Sequence, residues 1–158
     1  MFNPCSLCQA NCCKTYRISV TSFDVKRICN LGIKPDFAIF HPPTLLLFDP
    51  DTVLDFEDDY RGGILGFKSH PCYFLKNNRC TIHKYAPLSC RRYPYTISDY
   101  LNARFCPLSS SLLFRIKGAD IKKGVLLKEL NAYKAIVKEW NRKPGKKQDC
   151  LPFLLRRS

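Results

Sequence analysis

The sequence predicts an α+β fold: a small, irregular domain stapled by metal, with short strands and one long C-terminal helix. Three observations lead there. Ten cysteines among 158 residues fall largely in clusters. Between residues 44 and 82 the apolar runs are short and interrupted by Pro, Asp and Asn turn residues, which suits strands of a few residues. From Leu126 to Trp140 an apolar stripe recurs at three- and four-residue spacing, the period of an amphipathic helix. A composition of 46% hydrophobic and 25% charged residues excludes intrinsic disorder and suits one buried core.

Taken in order, residues 1–20 read as a Cys-rich loop running into the extended stretch Tyr16-Arg17-Ile18-Ser19-Val20. Thr21-Ser22-Phe23-Asp24 has the form of a capping box, in which hydroxyl and carboxylate satisfy free amides at a helix start. Phe23, Ile28 and Leu31 are its expected buried stripe, Gly32 its end, and Cys29 a small buried apolar residue within it. Two strands are expected at Thr44–Phe48 and Thr52–Phe56, joined through Asp49-Pro50-Asp51. The acidic run Glu57-Asp58-Asp59 lacks the glycine of a calcium loop and reads as solvated. Residues 63–82 read as short strands around an Asn77-Asn78 turn that faces Cys72 towards Cys80. Lys84 to Pro94, broken by Pro87 and Pro94, is a loop or a single helical turn.

Another apolar segment, Leu112 to Ile116, precedes the long helix at residues 119–142, whose stripe is Leu126, Leu130, Tyr133, Val137 and Trp140. The expected organisation is a cysteine-cluster metal-binding domain over residues 1–118, the amphipathic helix 119–142 packed on it, and a basic and apolar tail over 143–158. Arg142 to Lys147 reads as the linker to that tail.

The sequence opens Met-Phe-Asn-Pro-Cys, without the basic and apolar regions of a secretory signal. No apolar run nears the roughly 18 residues that cross a bilayer. A soluble cytoplasmic domain is expected, and there thiols stay reduced and clustered cysteines point to metal. The net charge of +13 is lopsided: residues 1–70 carry seven basic and eight acidic side chains, residues 71–158 nineteen and five. The second half is expected to meet an anionic macromolecule, a nucleic acid or an acidic protein, unless its lysines only solvate a helix face.

The densest chemistry is Cys5-x2-Cys8-x3-Cys12-Cys13. A two-residue spacer lets both sulfurs reach one metal at small entropic cost. Adjacent cysteines on an extended backbone point to opposite sides, so Cys12 and Cys13 are not expected to ligate one ion in the same manner. Cys72, Cys80, Cys90 and Cys106 supply further thiols, and a site joining both sets closes a loop of 58 residues between Cys13 and Cys72.

The order of these elements resembles the YkgJ-like cysteine-cluster family of zinc- or iron-chelating domains, of the CxxCxxCC type. The resemblance rests on the first cysteine run and on Val20-Thr21-Ser22-Phe23-Asp24. It continues through Cys72-Tyr73-Phe74-Leu75, Cys80-Thr81-Ile82-His83, Pro87-Leu88-Ser89-Cys90-Arg91-Arg92-Tyr93-Pro94 and Cys106, over about residues 5–107. The chain departs in having three residues, Gln9-Ala10-Asn11, before its cysteine pair, where the family often has two. It also has His83 where Tyr is usual and Ala86 where Arg is usual.

Eight cysteines are thus the candidate metal ligands: Cys5, Cys8, Cys12, Cys13, Cys72, Cys80, Cys90 and Cys106. They suffice for two tetrahedral zinc sites. Three thiols from one short loop with a distant fourth, Cys90 or Cys106, better fit a [4Fe-4S] cluster. Arg91, beside Cys90, is placed to bind such a cofactor by offsetting thiolate charge, with Arg92 next to it.

Three functions follow. The first is a metal-cluster protein with a structural or redox role. The second is a zinc-stabilised nucleic-acid module, in which Tyr93, Tyr95, Tyr100 and Phe105 stack on bases among the basic residues. The third is an enzyme or enzyme subunit, since the cysteine pattern is similar to that of the flagellin lysine-N-methylases. No Gly-rich strand-to-helix turn for adenosylmethionine is present, and His41, His70 and His83 lie in no catalytic motif.

Overall fold

The computed structural model describes residues 10–43, 45, 48–93 and 124–158. It is a mixed helical and stranded fold, with short antiparallel strands and a long C-terminal helix. A short helix α1 (Asn11–Thr15) leads into extended Ile18–Val20 and then helix α2 (Ser22–Cys29). Strands β1 (Phe37–Phe40) and β2 (Ile64–Phe67) pair antiparallel, from Phe37 opposite Phe67 to Phe40 opposite Ile64. Residues 18–20 lie along the other side of β2: Val20 N donates to Leu65 O at 2.9 Å and Phe67 N to Ile18 O at 3.1 Å. Gly66 makes this close pairing possible, because a Cβ there would stand 2.4 Å from the Phe40 ring and 2.7 Å from Ile18 O.

The capping box at α2 is present. Thr21 Oγ1 accepts from Asp24 N at 3.1 Å, and Asp24 Oδ2 accepts from Thr21 N at 2.8 Å. Gly32, at φ 75°, turns the chain away after the helix. The buried stripe differs from expectation: Val25 and Ile28 are its apolar part, Phe23 is half-buried and Leu31 is exposed. Asp24, fully buried, takes up the place that an apolar residue normally fills.

The strands also shift. The expected strand at Thr44–Phe48 falls largely outside the described residues, and Pro50–Thr52 is a single 3-10 turn. Of Thr52–Phe56, Leu54 alone makes a bridge, to Gly63. The second hairpin follows the Asn-Asn signal. Strands β3 (Leu75–Lys76) and β4 (Arg79–Cys80) flank Asn77 and Asn78, whose φ values of 48° and 58° form the left-handed turn that Asn tolerates. Cys80 stands opposite Leu75, not Cys72. A 3-10 turn at His83–Tyr85 and the short helix α3 (Leu88–Arg92) follow, matching the loop-or-turn reading of that stretch.

The long helix α4 spans Val125–Arg142 and buries Leu130, Tyr133, Ile136, Val137 and Trp140, while Leu126 is half-buried. Residues 119–123 of the expected helix, like Leu112 to Ile116, lie outside the described residues. The expected tail is a second helix, α5 (Lys147–Arg157), whose Cys150 and Leu154 are fully buried against α2 and α4. The basic run Arg142 to Lys147 reads as a linker to an apolar tail, but packing in the core holds the segment as a helix, Pro152 included. The turn between α4 and α5 is fastened to residues 53–58. Trp140 Nε1 donates to Asp55 O at 2.7 Å, Asn141 Nδ2 to Val53 O at 2.8 Å, and Glu57 N to Gly145 O at 3.1 Å. The apolar core therefore runs from Ile28 through Leu54, Leu65 and Phe67 to Val137 and Leu154. Among the described residues no helix is long and apolar enough to cross a membrane.

Candidate metal centre

Four segments deliver thiols to one region: α1 with Cys12 and Cys13, the loop before β3 with Cys72, β4 with Cys80, and α3 with Cys90. Two backbone features set the first of these. Ala10, at φ 56°, starts α1, and its carbonyl accepts from Cys13 N at 3.0 Å. The helix then closes on Tyr16 N, which donates to Cys12 O at 2.9 Å. Because Cys12 and Cys13 sit on a helical turn, the opposite-sides argument for extended backbone does not apply to them. Their thiols hydrogen-bond one another, and that of Cys13 also bonds Cys72. Cys72 N donates to Cys13 O at 3.0 Å, so main chain and side chains both hold this contact.

The electrostatics follow from the crowding. Hydrogen bonding to Cys12 and Cys72, with burial, drives the Cys13 thiol far up, so it keeps the proton that its neighbours share. The hydrogen bond from Cys13 brings Cys12 and Cys72 each down to about 7. Burial pushes Cys80 up. Burial pushes Cys90 further up, reinforced by the neighbouring Cys12, Cys72, Cys80 and Asp24. Thiols held together against their own repulsion and desolvation are a donor set that a soft cation relieves, and sulfur suits zinc or iron over hard cations. The donor chemistry fits the metal that the sequence implies.

Among the described residues alone, no group of three or more His, Cys, Asp or Glu side chains is arranged to hold an ion, although Cys12, Cys13 and Cys72 are hydrogen-bonded. Cys5, Cys8 and Cys106 lie outside the described residues, as do Tyr95, Tyr100 and Phe105. All seven described cysteines are free thiols. Two of them stand apart. Cys29 packs half-buried against the core from α2, and Cys150 is fully buried in α5, where desolvation pushes its thiol up to about 12.

Beside the thiols lies an ionic cluster that the sequence did not reveal. The Asp24 carboxylate caps α2 and also accepts from Leu88 N at 3.0 and 3.1 Å, which fixes the start of α3 and hence Cys90. Arg27 bonds Asp24 and reaches both Glu129 oxygens at 3.1 Å. Arg91 Nη2 lies 3.2 and 3.1 Å from the same two oxygens and 3.8 Å from Asp24 Oδ1. The guanidinium expected beside the thiolates thus spans α3 and α4. Burial raises the Asp24 carboxyl, countered by the bonds from Thr21 and Leu88 and by the Arg27 charge. Burial opposes ionisation of Glu129 too, but hydrogen bonds and charge from Arg27 and Arg91 hold it below the usual glutamate value. The capping-box motif pointed to Asp24, but no local pattern links it to Leu88, and Glu129 is one carboxylate on a lysine-rich helix.

Further bonds complete the wall. Ser89 Oγ donates to Ser19 O at 2.5 Å. The Tyr16 and Tyr93 rings, their centroids 6.2 Å apart, join the ends of α1 and α3, so Tyr93 is engaged in packing. His83 sits in the 3-10 turn and His70 in the loop before Cys72. His41 is elsewhere, its Nε2 3.0 Å from Asp59 Oδ2 and 2.6 Å from Lys147 Nζ. Asp59, read as part of a solvated run, also pairs with Arg61 at 3.0 Å.

A small α+β frame that gathers cysteine thiols from separate segments defines a metal-chelating cysteine-cluster domain. The sequence model of the CxxCxxCC family, described as a "putative zinc- or iron-chelating domain", matches residues 4–107, and the chain belongs to that family. No curated protein and no solved structure matches the chain. The matched region takes in all five gathered thiols and ends before α4, so Glu129 and the two C-terminal helices lie beyond it.

Proposed function

We propose that the thiol centre holds a [4Fe-4S] cluster, with a structural or redox role. The observation that carries this reading is the convergence of Cys12, Cys13, Cys72, Cys80 and Cys90 from four segments. A short cysteine loop supplemented by distant thiols is a common ligand pattern for such clusters. Cys5, Cys8 and one of the Cys12–Cys13 pair are the short-loop ligands in this reading, with Cys90 or Cys106 the distant one. The cluster, when bound, supplies one-electron chemistry and a rigid cross-link. The chain supplies thiolates, excludes water with Phe74 and Ile82, and holds Cys90 in place through Asp24 and Arg91.

The test is iron, zinc and acid-labile sulfide content, with a visible spectrum, on protein purified without oxygen. About four irons and four sulfides per chain are expected, with broad visible absorption. Zinc in a colourless, sulfide-free sample overturns the cluster and makes the centre a tetrahedral structural site.

A further inference from the structure

We propose that the β3–β4 hairpin and the 3-10 turn behind it form a surface for single-stranded nucleic acid. Residues 60–97 hold seven Lys and Arg and no Asp or Glu. Within that stretch, Lys76 and Arg79 stand directly opposite each other across the hairpin. Side chains alternate along a strand, so Leu75 and Cys80 pack inward while Lys76 and Arg79 are exposed. Like charges at opposed positions repel and weaken a hairpin. Neither residue has an ion-pair partner among the described residues that would offset the repulsion.

Two tyrosines flank the pair in sequence. Tyr73 is 52% exposed, and its ring is braced edge-on against Phe74, with centroids 5.0 Å apart. Phe74 is itself seated on Phe67 in the core at 5.4 Å. Tyr85 is 38% exposed, with Lys84 Nζ 5.5 Å from its ring centre. A braced, exposed Tyr73 ring and an exposed Tyr85 ring, close in sequence to unpaired cations, suit a strand whose bases stack while its phosphates meet the charges. An acidic protein could pack on the tyrosines too, so polyglutamate serves as the control; a single strand meets both demands at once, with bases on the rings and phosphates on the cations. These residues differ from the aromatics that the sequence alone suggested. Tyr93 packs on Tyr16, whereas Tyr73 and Tyr85 face outward.

The surface depends on the metal-centre reading only in that Cys72 and Cys80 frame the hairpin, so metal content is measured on the same samples. The probe is a fluorescently labelled single-stranded oligonucleotide of mixed sequence, as RNA and as DNA, titrated with the metal-loaded full chain at several salt concentrations. Binding that weakens as salt rises is expected. Lys76→Ala combined with Arg79→Ala should keep metal content and melting temperature while flattening the slope of log affinity against log salt by about 1.4. Tyr73→Ala should weaken binding about tenfold with the slope unchanged. No binding at low salt overturns the surface whichever metal the protein carries. Equal binding by these variants, or variant-sensitive binding only to polyglutamate or anionic vesicles, overturns it as well. A chain that binds the oligonucleotide but carries neither iron nor zinc leaves the surface standing and removes the metal reading.

Discussion

Asp24 does two jobs with one carboxylate, closing the capping box of α2 and accepting from Leu88 N at the start of α3. Removing it leaves Thr21 N and Leu88 N without acceptors and Arg27 with one carboxylate fewer. Asp24→Ala is therefore expected to cost about 3 kcal/mol in a urea melt. Arg91→Ala acts on the same wall and should lower retained metal, because α3 loses its tie to Glu129 beside Cys90. Unchanged metal per chain in that variant rules out a positioning role for Arg91. Glu129 gives the pH signature. Its folded value is lowered, so its stabilisation is complete above the ordinary value of 4.5 and is lost as pH falls through the folded value. Urea midpoints taken from pH 6 to pH 3 should thus fall more steeply for the wild type than for Glu129→Gln, with equal slopes as the contrary result. The cysteines divide by the same reasoning. Cys29→Ala and Cys150→Ala should keep the metal, whereas Cys12→Ala combined with Cys13→Ala, or Cys90→Ala combined with Cys106→Ala, should lose it. Cys150, with its thiol at about 12 and no exposure, should resist alkylation in the native state at pH 8.

Elements differed in how far their sequences announced them. The α2 start was legible because a capping box is local, and α4 because its stripe repeats over about four turns. The Asn77-Asn78 turn was legible for a similar reason, since left-handed φ at two successive residues restricts the choice of side chain. Strand β1 carries no alternation: Phe37–Phe40 is half-buried throughout, so neither face reads as core. Helix α5 is the main omission, and its stability comes from tertiary contacts. Leu154 is fully buried where α5 meets α2 and α4, which makes Leu154→Ala a cavity mutation expected to cost about 3 kcal/mol. Ending the chain at Lys143 should have a larger effect, because it strips the cover from Trp140 and removes the Gly145 carbonyl that holds Glu57 N. A shortened chain with an unchanged, cooperative thermal transition would show α5 to be a passenger.

At the scale of the whole molecule the fold has two kinds of cohesion, and they meet in one core cluster that also takes in Cys13, Cys72, Phe74 and Ile82. The apolar core built on Ile28, Leu54, Leu65, Phe67, Val137 and Leu154 needs no thiol. The cysteine-bearing segments, α1 and residues 72–92, meet the rest through a few apolar side chains, Phe74 on Phe67 chief among them, and a handful of polar bonds. Among these are Ser89 Oγ to Ser19 O, Leu88 N to Asp24, and Arg91 Nη2 to Glu129, while Cys72 N to Cys13 O joins the two segments to each other. The sequence made the thiols legible through their spacing, but it could not show how unevenly the apolar support is shared, because that depends on which distant segments meet. Metal binding free energy becomes folding free energy only where metal is the principal cross-link. Stripping the metal under reducing conditions should accordingly loosen α1 and residues 72–92 first. In hydrogen exchange, the amides of Cys72 and Thr81, bonded to Cys13 O and Phe74 O, should lose protection. Those of β2 and the inner turns of α4 should keep most of theirs. A chelated protein that loses protection everywhere in one step would instead make the metal a condition for the entire core. That result would place the decisive cross-link in Cys13 and Cys72, the two thiols of the centre that are buried within the core cluster itself.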